Sequence, residues 1–219
     1  MRHFRAGLLG TWTALFAVAA GAAAGPGLVG AAVGKAAYAT CAACHGLMGT
    51  GNISLGAPNI AGLDGWYVER QLKNYAAGLR GTRPGDAPGA AMRAAASVLA
   101  TDGDRAMVAL YIASLPRSHN TLKSMNRTAP TPTANGQNYF NALCSACHGS
   151  NGHGNQTLGA PRLAGSDAKY LARQIAAFKS GQRGAVSGDI MGGQMRAIAV
   201  LLPDARTELD VIAYAATLP

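Results

Sequence analysis

The chain of 219 residues has little of what most domains use to fill a core: aromatic residues make up 6% of it, and only two are tryptophan. Small units short of large side chains bury too little surface to be comfortably stable, so something else must occupy the interior. Cysteine is scarce as well. All four cysteines lie in two Cys-x-x-Cys-His motifs, Cys41-Ala42-Ala43-Cys44-His45 and Cys144-Ser145-Ala146-Cys147-His148. No thiol is left over for a structural disulfide or an isolated nucleophile. Runs of alternating β-branched residues are missing, which argues against a sheet. Acidic residues number 10 against 19 Lys and Arg. That excess is spread along the chain and forms no clustered basic face, which excludes a nucleic-acid binder. It leaves room for an acidic protein partner or a loose association with a phospholipid surface.

Long apolar runs are confined to the start. Arg2 and Arg5 precede an apolar stretch from Leu8 to Ala24 that ends in small residues, the pattern of an export signal cut near Gly25. An uncleaved anchor is the alternative, because apolar character continues through Val33 and a spanning helix needs ~20 such residues. Abundant Gly and Ala, with few Leu or Ile, favour cleavage. The expected location is the periplasm, with residues 1–24 as signal peptide. Without Arg2 and Arg5 the 19 basic residues become 17, still against 10 acidic ones.

What the rest of the chain does have is a repeat at an offset of 103 residues. Cys41 maps to Cys144, Leu55-Gly56-Ala57-Pro58 to Leu158-Gly159-Ala160-Pro161, and Tyr67 with Gln71 to Tyr170 with Gln174. Arg80-Gly81 maps to Arg183-Gly184, Met92-Arg93 to Met195-Arg196, and Tyr111 through Pro116 to Tyr214 through Pro219. Two domains are therefore expected, 25–116 and 133–219, joined by a Ser/Thr/Asn/Pro-rich linker over 117–132. Within each copy, Val68, Leu72, Tyr75 and Leu79, and likewise Leu171, Ile175 and Phe178, recur at helical steps. The final helix of each copy starts at a capping pattern, Thr101 with Asp104 and Asp204 with Thr207. The expected fold class is all-α, a few helices per domain with long Gly-rich loops.

The motif spacing names the missing core. Cysteines at i and i+3 share one face of a helical turn, so their sulfurs can bond two vinyl groups on one edge of a porphyrin, and the next residue meets the iron. Cys-x-x-Cys-His is accordingly the c-type haem attachment pattern. Two haem c groups are expected, on Cys41 and Cys44 and on Cys144 and Cys147, with His45 and His148 as axial ligands. A zinc ribbon would place its knuckles ~15–20 residues apart, not about a hundred. A thioredoxin-like pair would need a surrounding βαβ pattern and no adjacent histidine.

A duplicated domain should also repeat its second iron ligand. Met92 and Met195 match at the repeat offset, whereas Met48 maps to Asn151, Met107 to Asp210 and Met191 to Pro88. A single Met is ordinarily core filler, but recurrence favours Met92 and Met195 as ligands, with Met191 the rival in the second copy. Each matched Met follows a Gly-rich segment that reads as a loose approach. His119 and His153 have no repeat partner, which disfavours ligation by two histidines.

With these residues in view, the chain resembles dihaem class I cytochromes c of the cytochrome c4 family, and is similar to the dihaem subunit of flavocytochrome c sulfide dehydrogenases. The likeness covers both copies: Cys41 through Gly46, Cys144 through Gly149, the Gly-Ala-Pro turns, Ala61-Gly62-Leu63-Asp64 and Ala164-Gly165-Ser166-Asp167, and the downstream Met. It implies that the Pro58 and Pro161 carbonyls accept from the other ring nitrogen of His45 and His148, which fixes the imidazole. It further implies haems that face one another and an electron carrier, not an enzyme. His and Met together leave no vacant iron position and raise the potential. The expected role is single-electron transport in a respiratory chain, from a quinol-oxidising complex or dehydrogenase to a terminal oxidase or reductase. The alternatives are the electron-accepting subunit of a periplasmic dehydrogenase and, third, a small haem peroxidase.

Overall fold

A computed structural model describes Met1 and residues 26–52, 54–117 and 131–219. The expected leader with its cleavage point lies outside these residues, as does the stretch 118–130 of the expected linker. Helices account for every regular element among the described residues, apart from two isolated bridges, Asn52 with Ala57 and Asn155 with Ala160. The all-α expectation therefore holds.

The first half contains α1 (Pro26–His45), α2 (Gly65–Ala76), α3 (Ala87–Ala96) and α4 (Asp102–Ser114). The second contains α5 (Ala134–Tyr139), a π-helical turn (Phe140–Cys144), α6 (Ser145–His148), α7 (Ala168–Lys179), α8 (Ile190–Ala199) and α9 (Ala205–Thr217). Helix α2 forms where the apolar period lies, and Val68, Leu72 and Tyr75 are its buried face. Helix α4 begins at a reciprocal cap: the Thr101 hydroxyl accepts from the Asp104 N–H at 3.1 Å, and the Asp104 carboxylate accepts from the Thr101 N–H at 2.9 Å. Asp204 starts α9 by accepting from the Thr207 N–H at 2.7 Å.

Helix α1 packs on α4 at a glycine, because a Cβ on Gly34 would stand 2.0 Å from the Met107 carbonyl oxygen. One turn on, the Tyr38 ring meets Tyr111 at 5.1 Å. The second half repeats both contacts, with Gly136 against the Asp210 carbonyl oxygen at 2.1 Å and Phe140 against Tyr214 at 5.4 Å. On the partner helix the offset is 103, from Met107 to Asp210 and Tyr111 to Tyr214. From Gly34 to Gly136 and Tyr38 to Phe140 it is 102. The π-helical turn holds one residue more than an α-turn and takes up this difference, so the cysteines regain the common register.

The segments before the two matched methionines are not loose, contrary to the sequence reading. Each is a capped helix. Asp86 accepts from the Gly89 N–H at 2.9 Å and Asp189 from the Gly192 N–H at 3.0 Å, starting α3 and α8. Glycine is required there because a Cβ on Gly89 would lie 1.9 Å from its capping carboxylate.

Candidate haem sites

Both Cys-x-x-Cys-His motifs end a helix, and the chain turns away at Gly46 and Gly149, whose φ angles are 77° and 80°. This leaves His45 and His148 only 6% and 7% exposed, although each follows an exposed cysteine. The His45 Nδ1 lies 2.9 Å from the Pro58 carbonyl oxygen, and the His148 Nδ1 lies 2.7 Å from that of Pro161. A carbonyl only accepts, so Nδ1 carries the proton and the Nε2 lone pair is free for a metal. Burial pushes both imidazoles below the usual histidine range, against the opposing pull of these carbonyls, which favours the neutral, ligating form.

The backbone of the histidine is itself held by a glycine that the motif reading passed over. Gly51 donates its N–H to the His45 carbonyl at 2.9 Å, and Gly154 does so to His148 at 2.8 Å. Their φ angles are 84° and 85°, and a Cβ on either would come within 2.7 Å of the backbone at Asn59 or Arg162, just past the acceptor proline. Recurrence at 103 residues was the available signal.

A cavity with largely apolar walls opens beside His148, lined by Cys144, Cys147, Met195, Leu202 and Ile212. It continues into the first half at Tyr67 and Gln71. Met191 and Met195, one turn apart on α8, both line it. Met191 is 37% exposed, and its sulfur lies 2.7 Å from a Cβ built on Gly159. In the first half Met92 packs partly buried on the same core cluster as Cys41, Ile60 and Leu63. His153 sits at the surface between Asn151 and the Pro219 carbonyl oxygen, 2.8 Å from the latter, and His119 lies outside the described residues.

The donor set fits a c-type haem in each half: two thiols one helical turn apart, a neutral buried imidazole and an apolar wall. A redox-active dithiol fits poorly. Burial pushes the Cys144 thiol up to about 11 and raises Cys41 too, whereas a reactive pair needs a lowered value. Among the described residues no group of three or more His, Cys, Asp or Glu side chains is close enough to hold a metal ion, so zinc has no ligand set there.

Helices wrapped on a Cys-x-x-Cys-His motif, with a carbonyl-held histidine beside an apolar slot, define a c-type cytochrome domain, present twice. The sequence profile of the Cytochrome c family matches residues 31–116 and again 133–218, and the chain belongs to that family. It is 33% identical over 186 residues to the thiosulfate dehydrogenase electron acceptor of Thiomonas intermedia (strain K12), covering 78% of this chain and 75% of that one. To cytochrome c4 of Azotobacter vinelandii it is 32% identical over 179 residues, 78% of this chain and 81% of that one. The crystal structure of reduced recombinant cytochrome c4 from Pseudomonas stutzeri superposes with a TM-score of 0.62 at 28% identity, over 86% of this chain and 96% of that one. The chain is thus a dihaem electron-transfer protein carrying two haem c groups.

Proposed function

We propose that the protein carries single electrons in a periplasmic respiratory chain, accepting them from a quinol-oxidising complex and delivering them to a terminal oxidase or reductase. In this reading Cys41 and Cys44 bind one haem through thioethers and Cys144 and Cys147 bind the other. His45 with Met92, and His148 with Met195, are the axial ligands. The observation that carries it is the carbonyl-fixed histidine, built identically in both halves. Bound haem supplies one-electron chemistry between ferric and ferrous iron. The protein's residues do the rest: the Pro58 and Pro161 carbonyls orient the imidazoles, the Met92 and Met195 sulfurs would supply the second ligands, and apolar walls would keep water from the metal. Cys44 and Cys147 are exposed, so a porphyrin bound to them would offer an edge to a partner for electron exchange.

A second reading makes the chain the electron-accepting subunit of a periplasmic dehydrogenase, favoured by the Thiomonas relative's description. Residues 1–24 as a cleaved signal peptide and 117–132 as the linker complete the proposal. No helix among the described residues is long and apolar enough to cross a membrane.

A redox-titrated absorption spectrum of the protein, matured in a host competent for cytochrome assembly, tests the core of this. Two haems per chain, both with the methionine-ligated signature, are expected, and a colourless or zinc-bearing product would overturn it. Met195→Ala should abolish one signature. If Met191→Ala does so instead, Met191 is the ligand. Rapid binding of carbon monoxide or cyanide to the reduced protein would favour a peroxidase, and co-purification with a catalytic subunit would favour the second reading.

A further inference from the structure

Two turns in this molecule share one backbone and carry opposite side chains. In the first half the Gly49 N–H donates to the Gly46 carbonyl at 3.0 Å, which puts Leu47 and Met48 at the tip of a β-turn directly after His45. The turn is pinned from both sides. The Tyr38 hydroxyl donates to the Gly46 carbonyl at 2.8 Å, and the Ile60 and Ala61 N–H groups donate to that of Gly49 at 2.8 and 3.1 Å. The second half builds the same turn: Gly152 N–H donates to the Gly149 carbonyl at 2.9 Å, and Leu163 and Ala164 donate to that of Gly152 at 2.8 and 3.0 Å. Its tip is Ser150-Asn151, and Asn151 is engaged with His153.

The fold therefore does not require apolar residues at this tip. Leu47 is nonetheless 79% exposed and Met48 49%, just beyond the exposed Cys44. From Ala36 through Leu63 the chain holds no Lys, Arg, Asp or Glu, in a protein with 19 basic and 10 acidic residues. A rigid apolar tip in an uncharged stretch works against solubility but loses little freedom on contact, which marks a recognition surface. The surplus of exposed apolar residues in the second half, Ile190, Val200 and Leu201, lies at the two ends of α8, about 15 Å apart, and not on its motif turn. Two turn-tip side chains are far too few for a stable dimer face, which buries about 800 Å² on each partner, and suit the small, short-lived contacts of redox encounters. The basic residues that would hold such a tip on a lipid surface are missing from the stretch.

We infer that the first half is the one that meets the redox partner, through Leu47 and Met48, and that the partner's contact surface is uncharged and apolar around its own redox centre. One electron crosses there between that centre and the iron bound at His45, one being oxidised as the other is reduced. The inference rests on the dihaem carrier reading above and adds which half makes contact and by what chemistry. It replaces the acidic partner that a net charge of +9 suggests.

The test is voltammetry of the haem-loaded protein at gold coated with an uncharged methyl- and hydroxyl-terminated monolayer, which stands for such a partner, and at a carboxylate-terminated one, which stands for an acidic partner. Exchange is expected to be faster at the uncharged monolayer, and there to stay constant between about 10 and 500 mM salt. The double variant L47S/M48N takes the residues that the second half already carries. It should lower that rate about tenfold, with both haems attached and their potentials unchanged. The reciprocal S150L/N151M should raise it. Faster exchange at the carboxylate monolayer, or an unaltered rate in L47S/M48N, would overturn the inference. Should L47S/M48N fail to mature, S150L/N151M decides, and a rate equal to that of the unaltered protein would then overturn it. A dimer in sedimentation, or binding to phosphatidylcholine vesicles, that disappears in L47S/M48N would give the face to a second copy or to a membrane and would overturn it as well. A product without haem would defeat the parent reading instead.

Discussion

At the scale of single residues, the site depends on a histidine kept neutral and aimed by one carbonyl. Both imidazoles have folded-state values lowered by burial, so the unfolded chain binds more protons near the ordinary histidine value. Their contribution to stability is complete above about pH 6.5, the unfolded value, and is lost as pH falls through the lowered folded value. In the haem-loaded protein the iron would take the Nε2 lone pair, for which protons compete once the chain unfolds, so denaturant titration at pH 5.0 should give a smaller unfolding free energy than at pH 7.5, and equal values would refute the linkage. Gly154 is the supporting residue most sensitive to change. An alanine at its φ of 85° costs about 1–2 kcal/mol in backbone strain, and its Cβ would press on Arg162 N at 2.7 Å. Gly154→Ala is expected to lower the melting temperature and disturb the iron absorption of the second haem alone. The cysteines and histidines were plain in the sequence because covalent attachment fixes their spacing. Gly51 and Gly154 were not, because a backbone angle leaves no chemical signature in a residue that also populates every loop.

At the scale of elements, helices with an apolar period and a polar cap were legible, and α2, α4, α7 and α9 lie where the pattern put them. Helices α3 and α8 were missed. Their sequences, Ala-Pro-Gly-Ala and Ile-Met-Gly-Gly at the start, carry poor helix formers, and the structure overrides propensity with an aspartate cap and a tight approach to Gly81 or Gly184. Removing the Asp189 carboxylate leaves the Gly192 N–H buried without a partner. Asp189→Ala should therefore cost about 1 kcal/mol and loosen the helix that carries Met195, seen as a weakened methionine signature at one haem. The π-helical turn offers a sharper comparison. Deleting the exposed Asn141 should convert it to an α-turn while Phe140 stays on Tyr214 and Cys144 stays in register, as in the first half. Deleting the exposed Ala39 from α1 should rotate Tyr38 away from Tyr111 and prevent maturation of the first haem. Haem content per chain separates the outcomes, and equal losses would show that the π-turn absorbs no register.

At the scale of the whole molecule, two similar domains could be beads on a string or one body, and the sequence could not decide between them. It displayed Gln71 and Arg80 with their counterparts only as recurrent polar positions, and the reading passed over Arg70 with Arg173. Their role exists only once two halves face each other, since the four arginines find acceptors 89 to 117 residues away in the chain: Arg70 on the Gly159 carbonyl, Arg173 on that of Gly56, Arg80 on Gln174 and Arg183 on Gln71. A self-complementary junction of this kind holds without help from the linker. Cutting a protease site introduced between residues 118 and 130 should leave both halves associated, eluting from gel filtration at the size of the intact protein with potentials unchanged. Adding Arg70→Ala and Arg173→Ala to the cut protein removes the reciprocal carbonyl contacts and should release the halves. If the singly cut protein already separates, the linker alone keeps the haems together, and the junction is merely a contact between tethered domains.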